Sequence, residues 1–295
     1  MRPLLLLVMI ALVPRPAPAA EAQPPLFVRE EIDLPLTLAF GTVWLMTELT
    51  LKDEFSAGAF DPLTYDAIGQ ADLGAIGNWN PSAADASDVL LYGAFALPLL
   101  INGIDDIAWG PSRHAPGSWF WADAVIAMET LFFAGALTNL TKWAFTRYRP
   151  YMYIVNADPE THASILAGSG ADRLAYEEAL EDPDAALSFW SGHTALAFSA
   201  MFATASLLTY KHLDDHPGPL FAMWGGALAL GVTVGVLRVQ SGKHFPSDVM
   251  AGAIIGAATG IVIPALHRRR GSPPPVVFAP HAGPDGGGLS VMARW

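Results

Sequence analysis

Three short stretches of the 295-residue chain hold residue types that bind anions and move protons. The first runs Lys142-Trp-Ala-Phe-Thr-Arg-Tyr-Arg149-Pro150. Seven residues make about two helical turns, so on a helix Lys142 and Arg149 share a face and present two cations together, with Pro150 ending the helix. A solvated basic helix end has the same sequence. The second is Ser191-Gly192-His193, downstream of Pro183 and Ser188. Ser191 suits a helix N-cap, Gly192 admits close backbone approach, and the free N–H groups of a first turn attract an anion. His193 then stands beside that anion, placed to give a proton to a leaving oxygen; an ordinary capped helix start is the plainer account of the tripeptide alone. The third runs Arg238-Val-Gln-Ser-Gly-Lys-His244-Phe-Pro-Ser-Asp248. Ser241-Gly242 reads as a turn and Pro246 as the first residue of the next helix. His244 falls just outside that helix and Asp248 in its first turns, close enough for the carboxylate to accept a hydrogen bond from the imidazole and orient its other nitrogen. A capping Asp beside an incidental surface His fits the same residues.

The elements that must position these groups read as helices. Apolar segments of helical length run over Leu34–Leu51, Val89–Ile104, Trp119–Ala144, Gly192–Tyr210, Leu220–Leu237 and Ser247–Leu266. Ala, Leu, Gly and Met dominate them and period-two alternation is scarce, so the expected class is all-α with six helices. Phe60–Ser87 is rich in turn residues, and Asn156–Asp184 is acidic with room for a short helix around Arg173–Glu181. After Arg270 the composition changes: Pro273-Pro274-Pro275 is a stiff spacer, and Val276–Phe278 and Leu289–Met292 flank a Gly-rich stretch as an expected C-terminal β-hairpin. The expected organisation is a leader over 1–20, a helical domain over 26–270 and a Pro/Gly-rich tail over 271–295.

Composition narrows the function. Hydrophobic residues make up 52% of the chain and charged residues 15%, there is no cysteine, and the formal net charge is −12. Sixteen basic against twenty-eight acidic side chains cannot build a phosphate-tracking surface, so nucleic acid is excluded as a partner. Mean hydropathy is +0.35, high for a soluble protein and low for a pure bundle of spans. Met1-Arg2, the apolar run Leu4–Val13 and Ala17-Pro18-Ala19 have the pattern of an export signal, too short to cross a bilayer comfortably. Segments four to six carry runs of about eighteen apolar residues, whereas Glu48, Asp123, Glu129 and Asn139 interrupt segments one to three. The basic run His267–Arg270 places the end of the sixth helix in the cytoplasm. Six spans after a cleaved signal would instead leave both ends in the periplasm, so those two expectations conflict.

Taken in order, Lys-x6-Arg-Pro, Ser-Gly-His and Arg-x5-His-x3-Asp resemble the signature of the type 2 phosphatidic acid phosphatase (PAP2) superfamily, which includes bacterial acid phosphatases and vanadium haloperoxidases. The resemblance covers about Trp119–Leu266. Trp190 stands where the family usually has Pro, and Leu237 where Ser is common. The resemblance implies a six-helix bundle and a metal-independent phosphatase acting on a phosphomonoester or a lipid (pyro)phosphate. His244 would be the nucleophile that becomes a phosphohistidine, Asp248 the group holding its tautomer, and His193 the general acid. Lys142, Arg149 and Arg238 would bind phosphate oxygens, helped by the Ser191 hydroxyl and the Gly192 N–H. No metal or other cofactor is implied, and neither histidine has a companion Cys or carboxylate set at metal-ligand spacing. Phosphoryl transfer asks chiefly for positioning and charge neutralisation, which three cations and a helix N-terminus supply.

Two other readings use the same residues. A haloperoxidase would hold vanadate on His244, although the chain has no distinct second helical bundle; an envelope protein retaining only the fold is disfavoured by the intact set of nine residues. The expected location is exported, in the periplasm or in the membrane with the site facing the periplasm. Trp119, Trp121, Trp143 and Trp190 fit an amphiphilic phosphate at a membrane interface, or simply a packed core.

Overall fold

The computed structural model describes residues 26–51, 60, 66, 68–109, 118–168, 170–213, 217–269, 276–283 and 286–293. Six long helices alternate in direction: α1 (Glu30–Met46), α3 (Pro81–Trp109), α4 (Ser118–Ala144), α8 (Gly192–His212), α9 (Pro217–Gln240) and α10 (Pro246–Leu266). Four short ones join them, α2 (Gln70–Leu73), α5 (Ile154–Ala157), α6 (Pro159–Ala167) and α7 (Ala171–Glu181), so the described residues hold ten α-helices and the expectation of six covered only the long ones. Proline at the first position of α6 and α10 and the Ser191 cap of α8 set where those helices begin. Strands β1 (Val276–Gly283) and β2 (Gly286–Ala293) pair antiparallel, with Val276 opposite Ala293 and Gly283 opposite Gly286. The expected leader, residues 1–20, lies outside the described residues.

Helix α8 runs through the middle of the bundle, against α3, α4, α9 and α10. Seventeen of its twenty-one residues are buried, many of them Ala, Ser or Thr. The contact with α10 is close because Gly252, Gly256 and Gly260 line up one turn apart. A Cβ on Gly252 would lie 2.6 Å from the Ser191 carbonyl oxygen, and one on Gly256 2.3 Å from that of Ala195. Such a small-residue seam lets two backbones meet, and it fixes the start of α8 against the start of α10, the two places that carry the histidine motifs.

Among the described residues, five helical segments are long and apolar enough to cross a membrane: Glu30–Thr50, Pro81–Ala108, Trp119–Ala144, Pro217–Gln240 and Pro246–Leu266. The fourth sequence segment, expected to be among the cleanest, is not one of them. Its small polar residues and Lys211 lower its hydropathy because it is wrapped by protein. The polar residues that interrupt the first and third segments have interior partners instead: Asp123 accepts from Lys211 Nζ at 2.6 Å, Glu129 lies 3.1 Å from His267 Nε2, and Asn139 donates to Glu48 at 3.0 Å. Large apolar side chains face outward on the surrounding helices, among them Leu36, Tyr92, Ile104, Val232, Ile254 and Val262. An aqueous protein would bury such residues, whereas lipid solvates them.

The two ends of the bundle differ. At one end Phe27 N donates to the His267 carbonyl at 2.9 Å, bringing the start of α1 to the end of α10, and Lys211 Nζ, Asp105, Asp123 and His212 form a buried network. At the other end lie the C-termini of α4 and α9, the N-termini of α8 and α10, and the short helices. All three sequence motifs sit there.

Candidate active site

The first motif does not form the two-turn helix expected of it. Helix α4 stops at Ala144, five residues before Arg149, and the chain runs on extended. Arg147 N donates to Ala186 O at 2.9 Å, Arg149 N to Ala185 O at 2.8 Å and Ser188 N to Arg147 O at 2.9 Å. This short pairing lays residues 147–149 beside 185–188, so Arg149 enters the site from the loop while Lys142 stays on the last turn of α4. Pro150 begins a separate 3₁₀ turn.

Asp248 joins the pieces. Its Oδ2 accepts from Ser188 Oγ at 2.6 Å and from Phe245 N at 3.0 Å, and its Oδ1 accepts from Arg147 Nη1 at 2.5 Å. Its backbone oxygen accepts from Ser191 N at 3.1 Å. Arg147 also pairs with Asp72 at 2.8 Å and stacks 4.1 Å above the Phe245 ring. The expected hydrogen bond from the His244 imidazole to Asp248 is absent: Nδ1 is 3.8 Å from Oδ2, beyond hydrogen-bond reach. Nδ1–H donates instead to the Ser188 carbonyl at 2.8 Å. Asp248 therefore acts on the ring through Ser188, which it holds by the hydroxyl.

The consequence for His244 is definite. With Nδ1 donating, Nε2 carries the lone pair, and Arg149 Nη1 approaches it at 3.3 Å. Burial, and then the Arg149 charge, hold the imidazole pKa well below 6.5. The ring is neutral at neutral pH with an unprotonated nitrogen beside a guanidinium.

Above this buried pair opens a cavity of about 320 Å³, lined by Trp79, Asp88, Asp184, His193, Arg238 and Lys243 among others. Arg238 is buried, donates from Nη1 to Ser87 Oγ at 3.2 Å, and has no hydrogen-bond partner for its Nε among the described residues. His193 Nε2 lies 2.7 Å from Asp88 Oδ1. His244 and Arg149 do not line the cavity. They lie beneath it, where Arg149 pairs with Asp184 and donates to the Lys243 carbonyl at 2.7 Å. Lys142 belongs to a neighbouring recess that shares Asp184, with Glu48 and Asn139. Its Nζ would lie 3.9 Å from a Cβ on Gly192, so it overhangs the first turn of α8. Ser191 is fully buried as the cap of that helix, its Oγ accepting from Thr194 N at 3.4 Å and Thr194 Oγ1 at 2.9 Å.

One end of the bundle thus gathers all eight residues singled out in the sequence, five of them cationic or imidazole groups, around a helix N-terminus. The sequence model of the PAP2 superfamily matches residues 123–272, just over half of the chain. The chain belongs to the PAP2 superfamily. The match includes every one of these eight residues. Among curated proteins, this PAP2 chain is similar to phospholipid phosphatase 1 of Rattus norvegicus, 30% identical over 129 residues, 43% of this chain and 46% of the relative. It is also similar to phospholipid phosphatase 1 of Mus musculus at 28% over 129 residues, with the same shares, and to phospholipid phosphatase 2 of Rattus norvegicus at 28% over 127 residues, 41% and 44%. The matched part spans less than half the length of these relatives. No solved structure matches.

Several residues of this PAP2 site escape the sequence motifs. Arg147 lies inside the first motif yet turns to Asp248 and Asp72. Lys243, next to His244, has its Nζ 5.0 Å from the centre of the Tyr151 ring and 5.6 Å from that of Trp79. Burial, then Arg149 and Arg238, push its pKa down to about 8. Asp88 falls in what reads as the approach to the second segment, because α3 starts at Pro81, eight residues earlier than the apolar run indicates. Trp190 is buried and donates to Thr138 Oγ1 at 2.9 Å, and Trp119 is buried near the opposite end of α4, so both serve packing.

Proposed function

We propose that this PAP2 protein is a membrane-embedded lipid phosphate phosphatase working through a phosphohistidine at His244. The observation that carries the reading is the neutral, buried His244 with its Nε2 lone pair facing Arg149, beneath a cavity that holds His193 and Arg238. In the reaction, phosphate oxygens are held by Arg149, Arg238 and Lys142, with the Ser191 hydroxyl and the Gly192 N–H at the start of α8. The incoming phosphate takes over from Asp184 the guanidinium of Arg149. His244 Nε2 attacks phosphorus, the ester P–O bond breaks with its electron pair on the leaving oxygen, and His193 protonates that oxygen. Water, giving a proton to His193, then cleaves the P–N bond and releases inorganic phosphate. Charge neutralisation comes from three cations and a helix N-terminus, and no step calls on a metal.

The lipid substrate is supported by the outward apolar faces of α1, α3, α9 and α10 and by the names of the phospholipid phosphatases to which the chain is similar. The test is phosphate release from dioleoyl phosphatidate in detergent micelles against glycerol 3-phosphate. Apolar chains bind at ~0.8 kcal/mol per buried CH₂, so kcat/KM should favour the lipid by at least ~10-fold. Equal rates would overturn the lipid substrate alone, and no phosphate from either would overturn the phosphatase.

Two basic groups outside the spans, His244 and Lys243, bear on the pH profile. A His244 pKa well below 6.5 keeps the nucleophile unprotonated as pH falls through 6.5, so kcat/KM should not drop there. Lys243, at about 8, loses its charge above that pH, so kcat/KM for a phosphate dianion should decline on the alkaline side. Arginine stays charged, and Lys243→Arg should shift that decline upward. An acid limb centred on 6.5, or an alkaline limb that ignores Lys243→Arg, would contradict these assignments.

The orientation follows from the bundle's two ends. Six alternating helices return the chain to the end that bears Arg268 and Arg269, and basic ends stay in the cytoplasm. The active site then faces away from the cytoplasm. The chain has no cysteine, so introduced thiols are unique. A membrane-impermeant maleimide should label Glu181→Cys in intact cells and Arg269→Cys only after lysis; the reverse pattern would invert the topology.

A further inference from the structure

We propose that Asp88 is the positioning residue for the general acid His193, with the two ring nitrogens doing separate work: Nε2–H held by Asp88, Nδ1 presented to the leaving oxygen. This rests on the phosphatase reading above and extends it to a residue outside the family match, which begins at residue 123. The His193 Nε2 to Asp88 Oδ1 distance is 2.7 Å, a strong contact for an imidazole and a carboxylate. The same Oδ1 lies 3.5 Å from Arg238 Nη1, and the adjacent Ser87 Oγ accepts from that nitrogen at 3.2 Å. One turn of α3 therefore holds both the proton donor and a phosphate-binding guanidinium. Both Asp88 and His193 line the cavity and are partly exposed, so the pair can meet a substrate.

A carboxylate on one nitrogen orients the ring and stabilises the imidazolium, the role an orienting acid has beside a catalytic histidine. When the P–O bond breaks, the proton on Nδ1 passes to the leaving alkoxide. His193 is left neutral with its Nε2–H still on Asp88. The ring regains a proton at Nδ1 from the water that cleaves the phosphohistidine.

Proton donation matters when the leaving group is a poor one and little when it is a good one. The experiment compares an alkyl phosphate, lysophosphatidate, with p-nitrophenyl phosphate in wild type, Asp88→Asn, His193→Ala and the double variant, all in micelles. General acid catalysis contributes ~10²–10⁴-fold. Asp88→Asn should lower kcat for lysophosphatidate by about 10²-fold and for p-nitrophenyl phosphate by less than about 5-fold. In the His193→Ala background the asparagine should add less than about 3-fold for either substrate, since the group it orients is gone. Asp88→Glu should recover part of the alkyl activity. Equal losses on both substrates, or an undiminished Asp88 effect without His193, would overturn the positioning role and assign Asp88 to Arg238 or to the fold. Wild-type protein that hydrolyses neither compound would instead overturn the phosphatase reading.

Discussion

Replacing His244 by Asn should abolish phosphate release, by at least ~10⁴-fold in kcat, while the protein still folds. The asparagine Nδ2–H can still donate to the Ser188 carbonyl, the contact that now fixes the ring, so a buried acceptor is not orphaned. The Nε2 lone pair facing Arg149 is lost, and with it the only group in this arrangement assigned to attack phosphorus. Binding should suffer much less, because Arg238, Lys142 and the first turn of α8 remain. Phosphate or vanadate titration of the variant, followed by a thermal shift, separates the two effects. Retained turnover within ~10-fold of wild type would contradict the nucleophile assignment; loss of both turnover and folding would point to a packing role.

Asp248→Ala should be costly in both stability and rate, for reasons that differ from the direct imidazole contact the sequence indicates. The carboxylate accepts from Arg147, Ser188 and the Phe245 backbone, and all of these are left without it. Each buried donor left unpaired, the Ser188 hydroxyl and the Phe245 N–H, costs ~1–3 kcal/mol, whereas Arg147, partly exposed and still paired with Asp72, adds less; together these lower the melting temperature by several degrees. The rate should fall by ~10²–10³-fold in whatever folded protein remains, because Ser188 would no longer hold the carbonyl that orients His244. Ser188→Ala supplies the discriminating comparison. It removes the hydroxyl link to Asp248 but keeps the carbonyl, so it should reproduce part of the rate loss with little loss of stability. A Ser188→Ala enzyme with full activity would show that Asp248 acts on His244 by another route.

The long helices were legible because apolar run length is a direct record of burial or lipid contact. The interrupted first and third segments and the smooth fourth one misled in opposite directions. Glu48, Asp123 and Glu129 are tolerated because Asn139, Lys211 and His267 meet them from other helices, and a single segment does not display its distant partner. Helix α8 carries Ser199, Thr204, Ser206 and Lys211 because protein surrounds it on every side. The motif residues were found by type and order, yet two of their placements were not. Arg149 reaches the site through an extended pairing with residues 185–188, which no helical spacing encodes. The i,i+4 separation of His244 and Asp248 brings them within 3.8 Å and still leaves the hydrogen bond to Ser188, fifty-six residues upstream. Asp88 is hidden because about two turns of small and polar residues, Ser82 to Asp88, precede the apolar stretch of α3. Its importance comes only from the fold, which sets it opposite His193.

Wild-type protein mixed with ³²P-labelled phosphatidate and quenched in base within milliseconds should carry label on the peptide containing Lys243-His244-Phe245. That label should survive alkali, be lost in acid, and be missing from His244→Asn. Label mapped to any other residue, or full labelling of His244→Asn, would contradict a phosphohistidine at His244.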